Sequence, residues 1–285
     1  MEAFQRQRGL RIDGSVGAST WGTLIEAGLR LGDRLLYRSH PMLRGDDVAD
    51  LQGRLCSLGF DTGRVDGIFG DATASALAEF QRNVQLPADA MAGRLTVDEL
   101  RRVSSRHQTL ELVTTVRERE RRRDEPPTLR GRHVGIGEIG GLGTVAGALN
   151  RSLAAAGARI TLLTHPEESA QAAEANAVAV DAYIGLRLAP ATTGCNVAYY
   201  SGYTYESAEG RQLAARMAAA APRVLGGSGE ISGMTLTVLR ETRMPAVVIE
   251  VGPLELVVER STQLAEVLAG AVVAWAEEHD EVEPV

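Results

Sequence analysis

Apolar residues recur along this chain in two rhythms, and the change of rhythm divides it. In residues 46–58, Val48, Leu51, Leu55 and Leu58 fall on one face of a helix that stops at Gly59, a residue suited to the left-handed turn after a helix. Leu77, Phe80 and Val84 repeat that spacing, and Leu24 and Leu29 follow it near the front. From Arg132 onward, strand-like runs at 133–137, 158–164, 182–188, 195–200, 236–239 and 246–251 are interleaved with helix-like runs at 144–156, 167–178, 206–220 and 261–275. The front predicts a small all-α module. The rest predicts an α/β domain, a mostly parallel sheet with helices on both faces and its chemistry at the carboxyl ends of the strands.

The helical part is repetitive. Ile12-Asp13-Gly14-Ser15-Val16-Gly17-Ala18-Ser19-Thr20 matches Val65-Asp66-Gly67-Ile68-Phe69-Gly70-Asp71-Ala72-Thr73, and a worn third copy runs from Asp89 to Thr96. Phe4-Gln5-Arg6 likewise matches Phe80-Gln81-Arg82. Asp-Gly makes a tight turn because glycine accepts positive φ, the next apolar residue plugs the turn into a core, and Ser19 or Asp71 is expected to cap the helix that follows. In this order the phrases resemble the peptidoglycan-binding-1 domain, a three-helix module. Residues 45–100 resemble a whole copy and residues 1–30 only the back half of another. The resemblance makes the turns Asp13-Gly14 and Asp66-Gly67 candidate elements of a wall-binding surface. A half-copy lacks a helix, so residues 1–30 are expected either to dock elsewhere or to belong to a longer chain.

Composition narrows the chemistry. With 44% hydrophobic and 24% charged residues the chain is ordinary globular material, and a net charge of −7 argues against nucleic acid as a partner. All 30 basic residues are arginine, which removes a phosphate-loop lysine, a Schiff base and a Ser–Lys dyad. Cys56 and Cys195 lie far apart and read as small buried apolar residues rather than a disulfide. No apolar run approaches the roughly 18 residues of a transmembrane helix, and Met1–Leu10 has no apolar signal core. The charge run Arg117–Arg123 and the prolines Pro126-Pro127 read as a solvated tether. The expected division is therefore 1–30, a partial repeat; 31–104, the three-helix module; 105–131, a charged linker; and 132–280, the α/β domain.

The order of phrases in the α/β part is similar to the amidase-3 family of zinc N-acetylmuramoyl-L-alanine amidases. The matching pieces are Gly140-Gly141 after the first strand, Leu153 to Gly157, Ala175-Asn176-Ala177, Asp181-Ala182-Tyr183-Ile184, Val238-Leu239-Arg240 and Met244 to Gly252. The resemblance implies a zinc ion held by a His before Gly-Gly, a Glu in the next loop and a His at the end of the third strand, with a catalytic Glu near the C-terminus. Only the last is present, as Glu250. Ile139 stands in the first ligand position, Gly141-Leu142-Gly143 leaves almost no loop for the second, and Arg187 takes the third. Isoleucine has no donor atom, and arginine is permanently cationic. Arg187, Glu250, Glu138 and His165 remain as ligand-binding candidates.

Wall-binding repeats combined with this altered site resemble the CwlM-type regulators of actinobacteria. That implies a cytoplasmic, non-hydrolysing protein with no cofactor, whose partners are peptidoglycan or its precursors and a cell-wall synthesis enzyme. The alternative expectation is a working amidase that cleaves the muramoyl–L-alanine bond with zinc in an atypical site.

Overall fold

The computed structural model describes residues 1–104, 128–138, 141–202 and 206–277. The charge run, Pro126-Pro127, Ile139 and Gly140 lie outside the described residues. The chain divides into two compact units, Met1–Arg122 and Arg123–Val285.

The first unit contains α1 (Glu2–Gln7), α2 (Ala18–Ala27), α3 (Asp46–Ser57), α4 (Asp71–Asn83) and α5 (Arg94–Ser104). Val48, Leu51 and Leu55 of α3 form a dry core with Phe69, Leu77, Phe80, Val97 and Leu100. Each repeated turn is held by the same polar lock. The Nε2 of Gln52 donates to Asp66 Oδ1 (2.9 Å), to the Ile68 carbonyl (3.1 Å) and to Thr73 Oγ1 (3.1 Å), while its Oε1 accepts from the Gly67 amide (2.8 Å). Gln81 does the same with Asp89, Met91, Thr96 and the Ala90 amide, and Gln5 with Asp13, Ser15, Thr20 and the Gly14 amide. Buried amides are expensive unless satisfied, so each glutamine fixes the turn it faces.

This lock corrects one expectation. Helices α2 and α4 begin after Gly17 and Gly70 with no side-chain cap. The feature shared by all three copies is the threonine, Thr20, Thr73 or Thr96, whose hydroxyl accepts from the glutamine. The aspartates are likewise occupied. Hydrogen bonds from Gln5 and then the Ser15 amide hold the Asp13 carboxyl below its ordinary range, and the Met91 amide and then Gln81 do so for Asp89. Gly14 and Gly67 adopt φ of +72°, as the turn requires, whereas the third copy places Ala90 there at +56°.

The second unit is a six-stranded sheet of order β2-β1-β3-β6-β4-β5, with β1 at His133–Glu138, β2 at Arg159–Leu163, β3 at Ala182–Leu188, β4 at Gly194–Tyr200, β5 at Ser228–Met234 and β6 at Ala246–Gly252. All neighbouring pairs are parallel except β4 with β6. On one face lie α6 (Gly143–Ala155), α8 (Ala208–Ala220) and α12 (Ser261–Glu277), whose Leu149, Leu153, Leu213, Met217, Leu264, Leu268 and Val272 share a core with Ile136, Ile184, Leu186, Val247 and Ile249. The other face carries α7 (Glu168–Ala177) and α10 (Thr237–Glu241), which pack on each other. The short helices α9 (Pro222–Leu225) and α11 (Leu254–Glu259) complete the unit.

Two expectations fail here. The strand expected at 236–239 is instead the start of α10, with Leu236 just before its first residue, and the edge strand β5 has no apolar alternation to announce it, since Ser228-Gly229-Glu230 is exposed. The unit also starts inside the expected linker, because Leu129 is buried in the core.

Candidate functional site

Alternation along the strands decides which side chains meet. On β3, Tyr183, Gly185 and Arg187 share the face toward α7. Their paired neighbours continue that face as a polar row: Arg187 lies opposite Glu250, Glu250 opposite Asn196, and Asn196 opposite Glu230. This row crosses four strands, β3-β6-β4-β5.

Arg187 is its centre of charge. Its Nη1 donates to Glu250 Oε1 at 3.3 Å, and its Nη2 pairs with Glu168 Oε1. All three side chains are only 16–21% exposed. Glu168 stands in the first turn of α7, and its other oxygen accepts from the Val238 amide at 3.3 Å, at the start of α10. One guanidinium thus joins a central strand, its neighbour and both helices of this face. Further along the row, Asn196 Oδ1 accepts from Ser232 Oγ at 3.1 Å.

Beneath the cluster lies a buried polar clamp. Gln171 of α7 donates through Nε2 to the carbonyls of Glu138 (3.2 Å) and His165 (2.6 Å) and accepts from Tyr183 Oη (2.6 Å). It therefore ties the carboxyl ends of β1 and β2 to a side chain from the start of β3. Gly137 is required here, since a Cβ would sit 2.0 Å from Tyr183 Oη. Burial, followed by the charge of Glu168, raises the Tyr183 phenol well above its ordinary pKa, so it acts as a neutral donor.

The other candidates fall elsewhere. Glu138 shares the sheet face of Val134 and Ile136, away from Arg187, and its Oε1 accepts from the Leu142 amide (2.9 Å) just before α6. His165 is exposed, and its Nδ1 accepts from the Glu167 amide at 3.1 Å in a local turn. Ile139 lies outside the described residues. The structure therefore brings together Arg187 and Glu250, adds Glu168, Asn196 and Glu230, and leaves Glu138 and His165 apart. Glu168 carried no signal in the sequence beyond its place in the first turn of a helix. Asn196 and Glu230 could be found only once the strand register was known.

The donor set does not suit a zinc ion. Among the described residues no group of three or more His, Cys, Asp or Glu side chains could hold a metal. The two carboxylates that do converge are bridged by a cation, which offers no lone pair. Cys195 is not an activated thiol, because burial raises its pKa to about 11. No helix among the described residues is long and apolar enough to cross a membrane.

Residues 44–100 match the family described as "Putative peptidoglycan binding domain". The chain is 35% identical over 312 residues to the protein named N-acetylmuramoyl-L-alanine amidase CwlM of Mycobacterium tuberculosis, covering 96% of this chain and 76% of the relative. A spore cortex-lytic enzyme of Bacillus cereus is 52% identical over 52 residues, which is 18% of this chain and 20% of that enzyme. Among solved structures, the N-acetylmuramoyl-L-alanine amidase AmiC2 of Nostoc punctiforme aligns with 51% of this chain and 98% of its own, at 18% identity and a TM-score of 0.41. Because the likeness to the mycobacterial protein runs through both units, this chain belongs to the CwlM family.

Proposed function

We propose that this chain binds peptidoglycan or its precursors and regulates cell-wall synthesis without cleaving the muramoyl–L-alanine bond. The observation that carries the reading is Arg187 seated between Glu168 and Glu250 at the strand ends. Zinc-assisted amide hydrolysis needs three lone-pair donors, an open position for water and a free carboxylate base. Here the carboxylate matching that base is engaged by a guanidinium. Arg187 instead supplies a fixed positive charge and keeps the two carboxylates together. The polar row offers donors and acceptors at strand spacing to an extended peptide stem. On this reading the site needs no cofactor, and a cell-wall synthesis enzyme is the protein partner.

The test is calorimetric titration of the whole chain with a soluble muropeptide. Saturable binding is expected, unchanged by a chelator and at least about tenfold weaker in Arg187→Gln. Asn196→Ala is the variant that spares the ion cluster and should also weaken binding. Binding abolished by the chelator, or unaffected by both substitutions, contradicts the proposal. The name of the mycobacterial relative favours a second reading, an active amidase. One tightly held zinc per chain, lost together with turnover on chelation, would establish it. The regulatory reading also places the protein in the cytoplasm, where precursors are assembled; cell fractionation that recovers it outside the membrane contradicts this.

A further inference from the structure

His133 opens β1 and is only 6% exposed, and both of its ring nitrogens reach the neighbouring strand β2. Arg159 Nη2 donates to Nδ1 at 2.7 Å, and Nε2 shares a 2.7 Å hydrogen bond with Thr161 Oγ1. These contacts fix the state of the ring. A guanidinium has donors alone and stays protonated, so Nδ1 carries the lone pair. The one ring proton then sits on Nε2 and is donated to Thr161. Neutral imidazole in this tautomer satisfies both partners at once; imidazolium does not.

The surroundings make a second proton costly. His133 lies opposite Arg159 in strand register, so the two side chains share one sheet face. The charged groups that face the ring are Arg159 from β2 and Asp181 from the turn before β3, and the end of α7 brings the Val178 backbone. Asp181 is already engaged, since its Oδ2 accepts from the His133 amide at 2.6 Å. Among the described strands, β2 pairs with β1 alone. We infer that His133 is an acid-sensitive latch on this edge strand. A proton on Nδ1 replaces the acceptor of Arg159 by a second cation at hydrogen-bonding distance. Arg159 is the exposed partner, so it turns out to solvent, and the start of β2 loses its side-chain tie to β1. Burial and then the Arg159 charge lower the pKa of His133 below the ordinary 6.5, the direction that a latch closed in the neutral state requires. The latch is fully closed above about pH 6.5 and opens as pH falls through the lower folded value. The polar row around Arg187 lies at the opposite, carboxyl end of the parallel strands, so the latch is independent of the hydrolysis question.

The test is hydrogen exchange of the whole chain read by mass spectrometry, comparing residues 159–163 with residues 246–251 of the central strand β6. After correction for the intrinsic rate, protection of β2 is expected to fall at least about fivefold between pH 7 and pH 5, with a slope no steeper than one proton. Protection of β6 should stay level over the same range. His133→Gln, which cannot gain the proton, should abolish the pH dependence. Arg159→Gln keeps a donor for Nδ1 and removes the opposing charge, so it should reduce the dependence; because Arg159 is exposed, this variant leaves the fold intact. Four outcomes overturn the inference: level protection of β2 across the range, an equal loss in β6, an undiminished loss in His133→Gln, or an undiminished loss in Arg159→Gln. Nitrogen NMR of the ring gives a second reading, and a proton found on Nδ1 at pH 7 overturns it as well.

Discussion

The two units use buried polar side chains in opposite ways. In the helical unit one arrangement, a glutamine locking an Asp-Gly turn and a threonine, is written three times. In the sheet unit the bridge of Arg187 to Glu168 and Glu250 occurs once, at the strand ends. Repetition of a polar device marks a building element, because each copy answers the same local need for satisfied amides. A single polar device, placed where α/β sheets put their chemistry, marks a candidate for function. The repeated Asp-Gly turns are candidate elements of a wall-binding surface in the sequence, and in the structure one carboxylate oxygen of each aspartate holds its turn.

The contrast can be broken at several points. The largest effect is expected for Gln52→Ala, which orphans Asp66, the Gly67 amide and Thr73 together and should cost about 3 kcal/mol of the first unit's stability. Gln5→Ala, in the front copy, where Val16 and Trp21 are exposed, should cost less than half of that. Equal losses in thermal melts would contradict the distinction between locks under buried and under exposed apolar residues. In the sheet unit, Arg187→Ala leaves two carboxylates facing one another and should cost about 2 kcal/mol, reduced for partial exposure. Adding Glu168→Gln should recover part of this, and no recovery would mean that the guanidinium acts by packing alone.

Smaller effects sharpen the account. Ala90 holds the left-handed position that glycine fills in the other two turns, so Ala90→Gly should stabilise by about 1 kcal/mol, while Gly67→Ala should destabilise by a similar amount. At the other end of the sheet, His133 accepts from Arg159 Nη2 at 2.7 Å and shares a 2.7 Å hydrogen bond with Thr161 Oγ1. Burial and then the Arg159 charge lower its pKa below the ordinary 6.5. The unfolded chain therefore binds the proton more readily. Stability from this histidine is full above about pH 6.5 and is lost as pH falls through the lower folded value. His133→Gln should flatten that part of the pH–stability curve, and an unchanged slope would assign it to other groups.

Much of this was legible in the sequence, for physical reasons that can be named. The helix faces of Val48-Leu51-Leu55 and the strands of β3 and β6 were readable because burial imposes period on apolar residues. The turns were readable because few residues tolerate positive φ. Position β5 was not, since an exposed edge strand buries nothing and shows no alternation. Residues 236–239 misled because four residues carry too little period to separate strand from one helical turn. In the site, Arg187 and Glu250 could be singled out one by one, but Glu168 arrives from a helix and Asn196 and Glu230 through strand register. These are long-range relations that no local spacing encodes. Glu138 and His165 were grouped with them by their places at strand ends, and side-chain alternation and a local turn send them elsewhere.

The central claim is that Arg187 has taken the place of a catalytic metal. The most direct measurement is mass spectrometry of a muropeptide incubated with the whole chain at high concentration and saturating zinc. The account predicts that the muropeptide is recovered intact; zinc-dependent release of the free stem peptide, abolished by Glu250→Gln, would contradict it.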